Sequence, residues 1–181
     1  MFASVSASSR SALLSVLVGL SALLGLSACA SSDVSSINAA SQDQIQGIRV
    51  SAVSVTLDTA KPNPALQAAL QEELESAMPL CATGDVDHRL DVVVTDFEEQ
   101  DVGKAIFLGD EIELEGRAEF VDAATGLQTG AYFVENSFAW GGFIGAAMMS
   151  DAEESLSKGF AEQLCKRVFE KDLAALRKGQ G

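Results

Sequence analysis

Histidine, tryptophan and tyrosine each occur once in these 181 residues, and cysteine and proline three times each. A single imidazole, His88, rules out a histidine-rich metal centre, and three cysteines leave little for any other multi-ligand site. One Trp and one Tyr offer almost nothing for stacking on sugars or bases. Basic side chains are also scarce: 12 Lys and Arg stand against 26 Asp and Glu, for a net charge of −14. Phosphate backbones need a basic surface, so a nucleic-acid partner is excluded. The only long apolar run lies at the extreme N-terminus, which argues against a polytopic membrane protein. What is present is 48% apolar content on a chain of one-domain length, enough for a real core.

The N-terminus carries the most specific signal. Arg10 and the free amine precede a short apolar stretch from Leu13 to Leu24, interrupted by Ser15, Gly19 and Ser21. That length, followed by small residues, is a secretory signal rather than a transmembrane anchor. Leu26-Ser27-Ala28-Cys29 then resembles the lipobox of bacterial lipoproteins, with an apolar residue, two small residues and a cysteine. The resemblance implies cleavage after residue 28 and a diacylglycerol thioether on Cys29, the covalent lipid being the sole prosthetic group expected. It also implies a lipid-anchored envelope protein. Ala30 and Ser31 follow, without the aspartate that favours inner-membrane retention in enterobacteria, so the outer membrane facing the periplasm is the expected address.

Residues 29–47 are rich in Ser, Asn, Gln and Asp and hold no apolar period, so the expectation there is a flexible tether. As a coil it would hold the domain about 20–25 Å from the bilayer. A globular domain is expected over 48–178. Ile48–Leu57 has strand composition, but its apolar parity changes near Ala52, which predicts a bulge. Asn63 and Pro64 start a helix whose Leu66, Leu70, Leu74 and Met78 recur every fourth residue, and Pro79 is expected to stop it. Arg89–Phe97, Glu111–Asp122 and Thr129–Phe138 are strands, the last two joined by Asp122-Ala123-Ala124-Thr125-Gly126. Ser150, with Glu153 as its capping partner, opens one long final helix ending at Gly179. The order β-α-β-β-β-α gives an α/β (α+β) two-layer sandwich, a four-stranded sheet with two helices on one face and a right-handed first crossover.

Leu90-Asp91-Val92-Val93-Val94, the Val121–Gly126 turn sequence and the glycine-rich link Gly141–Ala147 before the last helix resemble small envelope lipoproteins. These are the CsgG-like, TolB N-terminal-like and ABC-transport auxiliary lipoproteins. The resemblance implies a non-enzymatic accessory or structural component of an envelope assembly, secretion or transport system, anchored in the membrane and engaging an envelope protein partner. It assigns no site residue and no oligomeric state.

Cys81 and Cys165 remain once Cys29 is lipidated. An even count in an oxidising compartment points to a disulfide, with two separate buried thiols as the alternative. No catalytic residue and no metal site is expected. Asp85, Asp87, His88 and Asp91 match no known cation loop, and a solvated turn entering a strand explains them. Glu111, Glu113, Glu115 and Glu119 on one strand face support a periplasmic hydrolase as an alternative, although a solvated sheet face explains them more simply. A small-ligand module held beneath the glycine-rich link is a further alternative. Within that link, Trp140, Phe143 and Ile144 are expected to form a partner or membrane surface, the alternative being that they tuck beneath the last helix as core.

Overall fold

The computed structural model describes residues 30–98, 110–140 and 152–179. The signal segment 1–28, Cys29, Phe143, Ile144 and the Ser150 cap therefore lie outside the described residues. The elements are β1 (Ala30–Asn38), α1 (Gln42–Gly47), β2 (Ile48–Leu57), α2 (Pro64–Cys81), β3 (Val86–Glu98), β4 (Asp110–Asp122), β5 (Gln128–Trp140), α3 (Ala152–Val168) and α4 (Leu173–Lys178). One five-stranded sheet has the order β1-β5-β4-β3-β2. Only β2 and β3 run parallel, joined by the α2 crossover.

Each strand alternates between two environments. Leu90, Val92 and Val94 of β3, Leu114, Ala118 and Phe120 of β4, and Tyr132 and Val134 of β5 are buried under the helices. Leu66, Leu70, Leu74 and Met78 of α2 and Leu156, Phe160 and Leu164 of α3 are buried with them. The four-residue spacing that marks α2 in the sequence is this buried stripe. Asn63 caps the helix by accepting from the Leu66 amide at 3.0 Å, with Pro64 in the first turn. The expected bulge in β2 is present, as a register shift between Val50 and Ala52.

Three expectations are corrected. The sheet has five strands and an additional helix, α1, precedes β2, because residues 30–47 are folded rather than a tether. β1 lies along β5, and α1 is closed by a capping box between Ser41 and Gln44, with Ile45 buried beneath it. A Ser- and Asp-rich segment can serve here because an edge strand is held by its ladder more than by apolar burial. Of its side chains, Val34 packs partly against the core while Ile37 is 58% exposed. Pro79 does not stop α2 but sits in its last turn, where the helix runs on to Cys81. The final helix is broken: Glu170 adopts φ +56°, the Lys171 amide donates to the Cys165 carbonyl at 2.9 Å, and Asp172 caps α4 through the Ala175 amide at 2.9 Å. The break lets Phe169 set its ring edge-on to Phe120 at 5.5 Å, while Arg177 clips α4 to Glu73 of α2 at 2.6 Å.

The two edges of the sheet are treated differently. Along β2, the Gln71 side chain accepts from the Val55 amide at 3.0 Å and donates to the Val53 carbonyl at 2.9 Å. Gln67 donates to the Val55 carbonyl at 2.7 Å. Two glutamines of α2 thus occupy backbone groups that an edge strand would otherwise present. The other edge is β1 itself.

Helices α2 and α3 are joined by a Cys81–Cys165 disulfide with Cα atoms 5.6 Å apart, as the cysteine count suggested. It closes a loop with a sequence separation of 84 residues. Replacing both cysteines by serine should lower unfolding free energy by about 2–5 kcal/mol, read as a shift in the urea midpoint. A second contact is as specific. The buried Asn136 amide of β5 donates to the Leu156 carbonyl at 3.0 Å, and a Cβ on Gly159 would overlap that amide. Gly159→Ala should cost about 1–3 kcal/mol although alanine favours helix, because the site has no room. An unchanged melting temperature would show that the packing is looser than this.

Candidate functional site

The sheet face away from the helices is where chemistry-bearing side chains gather. Alternation puts Glu113, Glu115, Arg117 and Glu119 of β4 on it. Register then adds residues from three other strands. Asp96 lies opposite Glu115, Glu115 opposite Glu135, and Glu135 opposite Asp33, so four carboxylates stand abreast across β3, β4, β5 and β1. Asp96 reaches this face through a register shift between Val94 and Asp96, which sends Phe97 toward the core. Carboxylate oxygens of Glu113, Glu115 and Glu135 lie within 4.8 Å of one another. Oxygen ligands at that spacing are of the type that hard cations accept.

Charge within the face is only partly balanced. Arg117 bonds Glu119 at 2.9 Å, and Arg89 bonds Asp91 at 2.7 Å. The Glu115 carboxyl is held above its ordinary range, first by partial burial and then by Glu135 and Asp96 beside it. Like charges directly opposite on neighbouring strands oppose pairing. The hydrolase alternative placed its carboxylates on this face, and Glu113 and Glu115 do come together there. Glu119 is drawn off by Arg117, and the Glu111 side chain lies outside the described residues. Sequence alone does not bring in Asp96, Glu135 or Asp33, which only the strand register adds.

The other expected features resolve simply. His88 is 3% exposed, with Nδ1 2.8 Å from the Val86 carbonyl and Nε2 2.9 Å from the Thr129 hydroxyl. Both ring nitrogens are occupied, and the residue ties β3 to β5 past the end of β4. Asp87 pairs with Arg49 at 2.8 Å, which holds its carboxyl below the usual range. The acidic loop thus has protein partners for Asp87, His88 and Asp91. Asp122 accepts from the Thr125 amide at 2.7 Å, the Thr125 hydroxyl at 2.9 Å and the Ala124 amide at 3.0 Å. These bonds, Thr125 first, lower its pKa, and Gly126 closes the turn at φ +71°. Of the expected docking residues, Trp140 ends β5 opposite Asp110, while Phe143 and Ile144 lie outside the described residues.

Two surface clefts adjoin the break between α3 and α4. One of about 460 Å³ is lined by Glu162, Lys166, Lys171 and Leu173, and one of about 320 Å³ by Ile45, Cys81, Phe169 and Lys171. Neither gathers a nucleophile with a base.

The arrangement is a one-sided α/β domain with an open acidic sheet face. No protein-family model matches the chain, and no curated protein is similar to it. Among solved structures it is similar to a PelC dodecamer variant from Paraburkholderia phytofirmans, with 15% identity, TM-score 0.44, and coverage of 79% of this chain and 100% of that one. It is similar to a DUF330 protein from Xanthomonas campestris, with 12% identity, TM-score 0.49, and coverage of 80% and 95%. A candidate lipoprotein from Caulobacter crescentus gives 14% identity, TM-score 0.42, and coverage of 75% and 96%. Likeness at this level says nothing of what this chain does.

Glu115 provides a test of the face. A carboxyl whose folded pKa is raised stabilises the fold below its unfolded pKa, and that contribution is lost as pH rises through the raised value. Glu115→Gln should therefore stabilise the domain at pH 7 by about 0.2–1 kcal/mol and flatten its stability between pH 7 and the ordinary carboxylate range. Thermal unfolding across that pH span measures both. A variant less stable than wild type at pH 7 would mean that the acidic row is not under repulsion.

Proposed function

We propose that the chain is a non-enzymatic lipoprotein, anchored through Cys29 in the cell envelope at the periplasmic side of the outer membrane. It serves there as an accessory component of an assembly, secretion or transport system. One observation carries the reading: Leu26-Ser27-Ala28-Cys29 follows a signal-like apolar stretch and directly precedes Ala30 of β1. Two or three acyl chains on one cysteine hold a protein durably on a bilayer, at about 0.8 kcal/mol per buried methylene. The described residues support the reading by offering broad surfaces, an acidic sheet face and a sheet edge.

A hydrolase on the acidic face is the second reading. It is favoured by Glu115, whose proton is held more tightly than usual beside further carboxylates, an arrangement that can separate an acid from a base. It requires Glu113→Gln and Glu115→Gln to abolish a measurable glycan or ester hydrolysis while the fold persists.

The first reading is tested by Cys29→Ser. Wild-type protein should partition into the membrane fraction and yield an acylated N-terminal peptide by mass spectrometry. The variant should be soluble, unacylated and normally folded. Recovery of the wild type as an unmodified soluble protein would end the lipoprotein assignment.

A further inference from the structure

We infer that the lipid anchor has no tether, and that the end of the sheet carrying Ala30 is the end turned toward the phospholipid bilayer. This orientation builds on the Cys29 anchor proposed above. Its own basis is the place of Ala30 in the sheet. Ala30 is already a residue of β1, opposite Phe138 of β5. Cys29 is one peptide away, and consecutive Cα atoms are about 3.8 Å apart. A thioether on Cys29 therefore fixes the lipid within a few ångströms of the sheet.

Topology then says what else is at that end. β5 runs antiparallel to β1, so its C-terminus at Trp140 lies there, and Asp110 pairs with Trp140 to bring the start of β4 alongside. Glu98 opposite Glu113 brings the end of β3, and parallel pairing brings the end of β2. The Asp122–Gly126 turn is at the opposite end, roughly 40 Å away along a strand of 13 residues. The strands accordingly stand away from the bilayer instead of lying along it. Asp33, three residues beyond Ala30, puts the acidic row about 10 Å above the anchor, near one Debye length from the lipid headgroups.

The experiment uses the full, lipidated chain in phosphatidylethanolamine–phosphatidylglycerol vesicles containing a headgroup-nitroxide lipid. With Cys81 and Cys165 bonded and Cys29 acylated, an introduced cysteine is the sole reactive thiol and can carry a fluorophore. Asp33→Cys labels the anchored end and Ala124→Cys the far turn, with Ser35→Cys in reserve should the first disturb folding. Emission from position 33 or 35 should fall about twofold or more with nitroxide lipid, and emission from position 124 should not change. A spacer of about ten Gly and Ser residues between Cys29 and Ala30 should restore emission at position 33 without altering acylation. Equal quenching at positions 33 and 124 in acylated protein would overturn the orientation and show β1 released as a tether. An unacylated Cys29 would instead bring down the anchor assignment itself, and mass spectrometry of the same sample separates the two failures.

Discussion

Everything in this domain depends on helices α2 and α3 being held side by side over one face of the sheet. They are clasped at both ends: the Cys81–Cys165 bond joins their C-terminal parts, and the Asn63 amide reaches Glu153 at 3.4 Å near their N-termini. Between the clasps, Leu70, Leu74, Phe160 and Leu164 merge with the inner residues of four strands into one buried cluster. A sheet needs such a cover to bury its apolar side. Because the described helices cover one side only, alternation along the strands turns the intervening residues to the other face, where most of them meet water, Ala131 and Ser137 being buried exceptions. The open face is the necessary complement of the core.

That complement has a cost. Asp96, Glu115, Glu135 and Asp33 stand abreast although neighbouring like charges weaken strand pairing. The cost is bearable because these groups have solvent on one side, where water and counterions screen them. On the helix-covered side some buried polar groups are satisfied and others are not: the buried Ser157 hydroxyl has no hydrogen-bond partner among the described residues. His88 and Asn136 both find partners inside the structure.

The sequence makes legible whatever depends on local periodicity. The four-residue spacing of α2, the Asn63-Pro64 start, the Asp122–Gly126 turn and the parity change in β2 all appear in the structure where the pattern places them. The segment before residue 48 was not legible as structure, because Ser and Asp carry no apolar period and β1 gains its place from the ladder to β5. Its one local mark is the Ser41–Gln44 capping box, a pattern readable without any partner strand. The break before α4 is foreshadowed by the apolar stripe changing face at Phe169 and Leu173. Of the acidic face, the β4 portion follows from alternation. Asp96 and Glu135 require the register, and Asp96 also requires a bulge that nothing in Val94-Thr95-Asp96 announces.

The glutamines that lie against β2 limit how this protein can associate through its sheet. With Val53 and Val55 already bonded by Gln67 and Gln71, that side has few backbone groups left to offer another strand. Among the described strands the domain accordingly has a valence of one for strand-to-strand joining, at β1. Two copies meeting there form a closed pair related by a two-fold axis, and a third has nowhere to add. Such a sheet can terminate an array of strands but cannot extend one through β2.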